Sequence, residues 1–244
     1  MKNFVLIPQI IKGGAELQCL HFCNDLAKRN NDITLVVIKS FDKELKNILD
    51  KKVKVVIFNK KLGKFFSIIK LVFKLYRFIL LNKPNRISIF LSYPEKILFP
   101  LILLKPSIEF YSFVRSRIVK PKIFGRIYGF ILGNYLKNIV INHHHNFMPV
   151  VSFYKRIPMI MPNYLDTKNF NFKPTYLKFS CIYIARFIPE KNHDFIVSYI
   201  ERYSESSHFP FLFCSNDLPS HFLKSRTKKL IKENKLEIIK SFDI

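Results

Sequence analysis

Phe4-Val5-Leu6-Ile7-Pro8, followed by Lys12-Gly13-Gly14-Ala15-Glu16 and a helical pattern over 14–29, is the stretch on which the fold reading turns. It is an apolar strand, a glycine turn and an amphipathic helix in succession. The next apolar run, 33–38, reads as a second strand, so the first 38 residues form a βαβ unit. Lys28 and Arg29 sit in the last turn of the helix, where cations oppose the negative end of its dipole.

The alternation continues outward from that unit. Strands are expected at 53–58, 86–91, 108–114, 138–142 and 157–161. Helices are expected at about 62–82, 94–104, 121–136 and 146–155. Strands that alternate with helices predict a parallel sheet covered on both faces, the doubly wound α/β class. At 162–177 the period is lost among Pro162-Asn163, Asp166-Thr167 and Lys173-Pro174, which reads as a linker. The rhythm then restarts with strands at 179–186, 210–214 and 236–242 and helices at 193–204 and 219–234. The expected organisation is a Rossmann-like domain over 1–161, a linker over 162–177 and a partial second Rossmann-like domain over 178–244. The second has about half the strands of an ordinary doubly wound domain.

In open parallel sheets ligands bind beyond the carboxyl ends of the strands. Gly13 and Gly14 stand there in the first domain. Glycine lets a backbone approach a ligand, and the following helix offers free N–H groups to an anion. A plain tight turn would use the same residues. Arg186, at the end of Ile182-Tyr183-Ile184-Ala185-Arg186, and Lys191, before a helix near His193, hold the matching place in the second domain. Two cations at such an edge can grip a diphosphate, or can be ordinary solvated surface charges.

The 244 residues are 49% apolar, enough to bury a sizeable core. With 41 Lys and Arg against 17 Asp and Glu, the formal net charge is +24, which calls for an anionic partner: nucleic acid, an anionic membrane face or a phosphorylated substrate. A gene biased toward A and T, enriching Lys, Asn, Ile and Phe, would produce part of the same excess. No zinc-finger spacing, aromatic RNA-recognition signature or helix-turn-helix supports nucleic acid. Walker loops, nucleophile elbows and Gly-x-Gly-x-x-Gly fingerprints are also missing. His143-His144-His145 does not have the geometry of a metal site, because adjacent side chains diverge. Cys19, Cys23, Cys181 and Cys214 read as buried free thiols, which fits a reducing cytoplasm. No uncharged apolar run reaches the length of a membrane span, about 18 residues. In 62–82, Lys70, Lys74 and Arg77 share one helix face, expected to lie opposite a core stripe of Phe66, Ile69, Phe73 and Leu80. That face suits either solvent or anionic lipid.

Four segments together resemble the family 4 glycosyltransferases, which have the GT-B fold. Gly13-Gly14-Ala15-Glu16 with Leu26-Ala27-Lys28-Arg29 and Ile33-Thr34-Leu35-Val36 is similar to that family's first βαβ unit. Phe113-Val114-Arg115-Ser116-Arg117 is similar to its acceptor-side loop. Pro162-Asn163-Tyr164-Leu165-Asp166-Thr167 is similar to its connector, with Tyr164 in place of glycine. Ala185-Arg186-Phe187-Ile188-Pro189-Glu190-Lys191-Asn192 is similar to its donor-site segment. The resemblance implies a nucleotide-sugar donor with Arg186 and Lys191 on its diphosphate, and Gly13 and Gly14 bordering the phosphates. It implies a glycan or lipid-linked acceptor held by the first domain, Arg115 on the acceptor side, transfer with retention and no metal cofactor. The product would serve surface polysaccharide or lipopolysaccharide assembly at the cytoplasmic face of a membrane. The family's pair of glutamates near the donor sugar and ribose has no counterpart, since no two glutamates here stand eight positions apart. A weak or inactive transferase is therefore expected of this chain by itself. The alternative is a non-catalytic module that contacts an anionic membrane or a partner subunit.

Overall fold

The computed structural model describes residues 1–58, 65–104, 107–115, 123–164, 181–184, 187, 191–203, 211–215 and 221–240. The chain divides into two compact units, Met1–Asp166 and Thr167–Ile244.

In the first unit, strands β1 (Lys2–Ile7), β2 (Asp32–Val37), β3 (Lys54–Ile57), β4 (Arg86–Phe90), β5 (Glu109–Val114), β6 (Asn138–Ile141) and β7 (Met159–Ile160) alternate with helices. These are α1 (Gly14–Lys28), α2 (Phe65–Asn82), α3 (Ser92–Leu104), α4 (Ile123–Tyr135) and α5 (Phe147–Tyr154). The sheet is parallel, in the order β3-β2-β1-β4-β5-β6-β7. β1 pairs with β2 on one side, from Lys2↔Asp32 to Ile7↔Val37, and with β4 on the other, from Asn3↔Arg86 to Leu6↔Ile89. The winding direction thus reverses between β1 and β4, which opens a crevice beyond their carboxyl ends.

Alternation along each strand sorts the core into two halves. Phe4, Leu6, Val36, Ile87 and Ile89 pack with α2, α3, α4 and α5. Val5, Ile7, Leu35, Val37 and Phe90 pack with Cys19, Leu20, Cys23 and Ala27 of α1. Four helices therefore cover one face and α1 the other.

Two local expectations need correcting. The core stripe of α2 is Leu71, Leu75 and Ile79, whereas Ile69, Phe73 and Leu80 are exposed beside Lys70, Lys74 and Arg77. Nearly every face of this helix carries large apolar residues, so period alone could not select the buried one. Helix α3 begins at Ser92, earlier than expected, because Pro94 falls in the first turn, where a missing N–H costs nothing. Among the described residues no glycine has positive φ. Asn30, Lys83, Lys155 and Asn234 take the left-handed conformation at helix ends instead.

In the second unit, β8 (Cys181–Ile184), β9 (Phe211–Ser215) and β10 (Leu236–Lys240) form a parallel sheet in the order β10-β9-β8. Helices α6 (His193–Tyr203) and α7 (His221–Lys232) follow β8 and β9. Val197, Ile200, Phe213, Leu223, Leu230 and Leu236 form its core. Arg226 of α7 ties the two helices together: it bonds Asp194, reaches Glu201 Oε2 at 2.5 Å and Ser198 Oγ at 2.8 Å.

Candidate functional site

The carboxyl edge of the first sheet collects the polar residues that directly follow β1, β4, β5 and β6. After β1, Gly13 caps α1 in an extended conformation and its carbonyl accepts from the Leu17 N–H at 3.0 Å. A side chain on Gly13 would run into the Glu16 carboxylate. One on Gly14 would meet nothing within 4 Å. At the first turn of α1 the Glu16 carboxylate thus sits beside Gly13, and the Gly14 side is open.

Arg115 follows β5. Its guanidinium lies over the rings of Phe90 and Phe113, 5.7 and 5.8 Å from their centroids, and these rings stack on each other at 4.4 Å. Phe22 of α1 tilts against both. Burial pushes the guanidinium pKa down from its ordinary value, with Cys19 opposing that shift. An arginine nonetheless keeps its charge at neutral pH. Arg115 Nη1 donates to Asn163 Oδ1 at 2.9 Å. The neighbouring Tyr164 is fastened to α1 twice: Gln18 Nε2 donates to its carbonyl and its N–H donates to Gln18 Oε1, both at 2.6 Å. His21 adds a ring contact to Tyr164 at 5.1 Å. The segment after β7 therefore runs along α1 and over Arg115. Asn163, read from the sequence as a shaper of the linker, is a direct partner of Arg115.

Three buried polar atoms on adjacent strand ends make no hydrogen bond: Tyr93 Oη after β4, Arg115 Nε after β5 and Asn142 Oδ1 after β6. An unmet buried polar atom costs about 1–3 kcal/mol, so a water or a ligand's polar group that reached these atoms would be stabilised. Leu91, between β4 and Tyr93, adopts φ 69°, a conformation that a leucine reaches only against steric resistance. Sequence reasoning did not find Tyr93, Asn142, Gln18 or Asn163. For Tyr93, Asn142 and Asn163 the available signal was their position just beyond apolar runs, since strand ends are where such sheets bind ligands, whereas Gln18 lies within α1 and carries no such signal.

In the second unit Lys191 is exposed just ahead of α6, and its carbonyl accepts from the Tyr183 hydroxyl. Asn192 beside it has φ 51°. Arg186 lies outside the described residues, as do Leu165, Asp166 and Thr167 of the expected connector. Gly13, Gly14 and Arg115 are thus gathered at one sheet edge, and Lys191 stands at an edge of the other sheet.

Two further clusters are closed on their own partners. Glu95 of α3 is buried at 2% exposure and accepts from Ser112 Oγ and from Tyr154 Oη, the latter at 3.0 Å. Burial raises its carboxyl pKa, and the two hydrogen bonds oppose the rise only in part. His143 Nδ1 accepts from the His145 N–H at 3.1 Å and the two rings stack, so this histidine run closes a turn. Among the described residues no group of three His, Cys, Asp or Glu is placed to hold a metal ion.

No family profile matches the chain. No curated protein sequence matches it either. Solved structures do match over its whole length. One is HepE of Anabaena, crystallised with UDP and glucose: TM-score 0.69, 13% identity, 100% of this chain and 70% of that one. Another is a glycosyltransferase from Rickettsia africae: TM-score 0.70, 15% identity, 99% of this chain and 69% of that one. A third is WaaG, a glycosyltransferase involved in lipopolysaccharide biosynthesis: TM-score 0.68, 11% identity, 99% of this chain and 70% of that one. This chain therefore spans about 70% of the length of these neighbours. At such identities the likeness concerns architecture, and on that ground this α/β chain has the GT-B fold that these glycosyltransferases share.

Proposed function

We propose that this protein is a nucleotide-sugar-dependent glycosyltransferase acting on a surface-glycan or lipid-linked acceptor. The observation that carries the reading is the presence of three features along the carboxyl edge of the first sheet, at and beside its topological switch point. These are the helix start with its open Gly14 side, the half-buried Arg115 cation and the unmet polar atoms of Tyr93 and Asn142. A sugar offers the hydroxyls that such atoms need, and a phosphate suits the helix start. The UDP seen with HepE supports a nucleotide-sugar as donor.

In this reading Lys191 and Arg186 neutralise the departing nucleoside diphosphate from the second unit, in the place a metal ion would otherwise take. As the bond from the sugar's anomeric carbon to the phosphate oxygen breaks, negative charge grows on the diphosphate. Fixed cations there lower the barrier by stabilising that charge. The acceptor hydroxyl oxygen forms the new bond to the anomeric carbon, and its proton passes to the departing diphosphate oxygen. Arg115, held by Asn163, orients the acceptor side. Transfer proceeds with retention, as the family resemblance implies. The reduced, buried Cys19, Cys23 and Cys214 accord with a cytoplasmic site of action.

The test is release of nucleoside diphosphate from UDP-, GDP- and ADP-glucose by the full chain with a glycan or lipid-linked acceptor. Slow release from one donor is expected, because the family's glutamate pair has no counterpart in this sequence, and Arg115→Ala should lower it by a further factor of about 100. No release from any of the three, or release indifferent to Arg115→Ala, contradicts the proposal.

A further inference from the structure

Between Asp50 and Asp166 the sequence holds only two acidic residues, Glu95 and Glu109. Glu95 is buried, and Glu109 is bound to Arg86 at 2.6 Å. The outward surface of the helical layer α2–α5 is consequently cationic. It is also apolar to an unusual degree. On α2, Ile69, Phe73 and Leu80 project into solvent next to Lys70, Lys74 and Arg77, with Phe73 at 70% exposure. On α4, Ile123, Phe124, Ile127 and Phe130 do the same around Arg126, with Phe124 at 86% exposure. Both helices belong to one layer, because α2 packs on α3 and α3 on α4, all over the same half of the core.

Opposite the outward face, α4 is pulled tightly into the layer. A Cβ on Gly129 would stand 2.5 Å from the Phe153 carbonyl oxygen, and one on Gly133 would overlap the Tyr154 carbonyl. The two glycines sit on the α5 side. The large apolar residues of α4 are left on the outer side, where no other described element covers them.

We infer that the outer face of α2 and α4 docks on an anionic lipid bilayer, with its phenylalanines and isoleucines entering the headgroup boundary and its lysines and arginines pairing with lipid phosphates. The two kinds of residue alternate on one face, as a bilayer surface rewards and as neither solvent nor a duplex phosphate backbone does. A second copy of the chain on the same face would set cation against cation across a two-fold axis. No described helix is long and apolar enough to cross a membrane, so the contact is peripheral. This inference is independent of the transfer reaction, since it rests on the opposite surface chemistry and needs no substrate.

The experiment is flotation of the full chain with vesicles of phosphatidylcholine alone and of phosphatidylcholine with phosphatidylglycerol. The wild type is expected to float with the anionic vesicles and to be released by high salt. Lys70→Gln/Lys74→Gln/Arg77→Gln should weaken that binding about 100-fold. Ile127→Ser/Phe130→Ser should weaken it at least about tenfold. Both sets replace exposed residues, and unchanged circular dichroism and thermal midpoint will verify that they fold. Lys224→Gln/Lys228→Gln on α7 should change binding by less than about twofold. Equal flotation with neutral vesicles, wild-type binding by both α2 and α4 variants, or loss caused by the α7 variant alone overturns the inference. So does a dimer that the α4 variant dissociates while flotation is unaffected.

Discussion

Arg115 is the residue on which we propose the first-unit site is organised, and its surroundings support that role. Two stacked phenylalanine rings lie under the guanidinium, and Asn163 accepts from one of its nitrogens. Its Nε stays unmet. A planar cation with a fixed orientation and a spare donor is suited to a sugar hydroxyl or a carboxylate. Glu95 shows the opposite economy. Its folded pKa lies above the ordinary carboxylate value because burial disfavours the charged form. The folded state therefore holds the proton more tightly than the unfolded state. The stability that Glu95 contributes is full below the unfolded carboxylate pKa, about 4.3, and is lost as pH rises toward the folded value. We predict that urea-denaturation midpoints of the wild type fall as pH is raised through this window. Glu95→Gln, which cannot ionise, should flatten that slope. A slope of equal size in the variant would assign the effect to other groups.

At the scale of elements, the glycines separate packing from binding. Gly133 lies under the Tyr154 carbonyl, so Gly133→Ala must push α4 from α5 and should cost about 1–3 kcal/mol. Gly14 has open space where a side chain would go. Gly14→Ala should leave stability unchanged or raise it by up to about 1 kcal/mol, yet weaken nucleotide-sugar binding by blocking approach to the α1 backbone. Denaturation and ligand titration on the same two variants measure both effects. A Gly14→Ala protein that binds as well as wild type would remove the glycine turn from the site. Most elements were legible in the sequence because each apolar run was bounded by Gly, Pro, Asn or Lys, as with Phe4–Ile7 before Pro8. The outward stripe of α2 was not. With Phe, Ile and Leu on almost every side of that helix, its burial is decided by the sheet beneath it, and the sheet is a long-range feature. The clamp of Gln18 on Tyr164 was invisible for the same reason, since 146 positions separate its partners.

For the molecule as a whole, the order β3-β2-β1-β4-β5-β6-β7 accounts for where chemistry can occur. Reversal at β1 and β4 places Gly13, Gly14 and Tyr93 at one crevice, and the parallel arrangement brings Arg115 and Asn142 to the same edge. The sequence rhythm announced a parallel sheet, but the strand order that joins these residues came only with the fold. The charge excess, which composition left open between substrate, lipid and nucleic acid, is distributed unevenly. It is concentrated in the first unit, where 51–165 contains only Glu95 and Glu109 as acids. The proposed function requires above all that a nucleoside diphosphate is bound and that Lys191 and Arg186 neutralise it. Calorimetric titration of UDP, GDP and ADP into the full chain addresses that claim most directly. The account predicts that one of the three binds and that Lys191→Ala and Arg186→Ala each weaken it about tenfold or more. Absence of binding by all three, or binding unchanged in both variants, would contradict it.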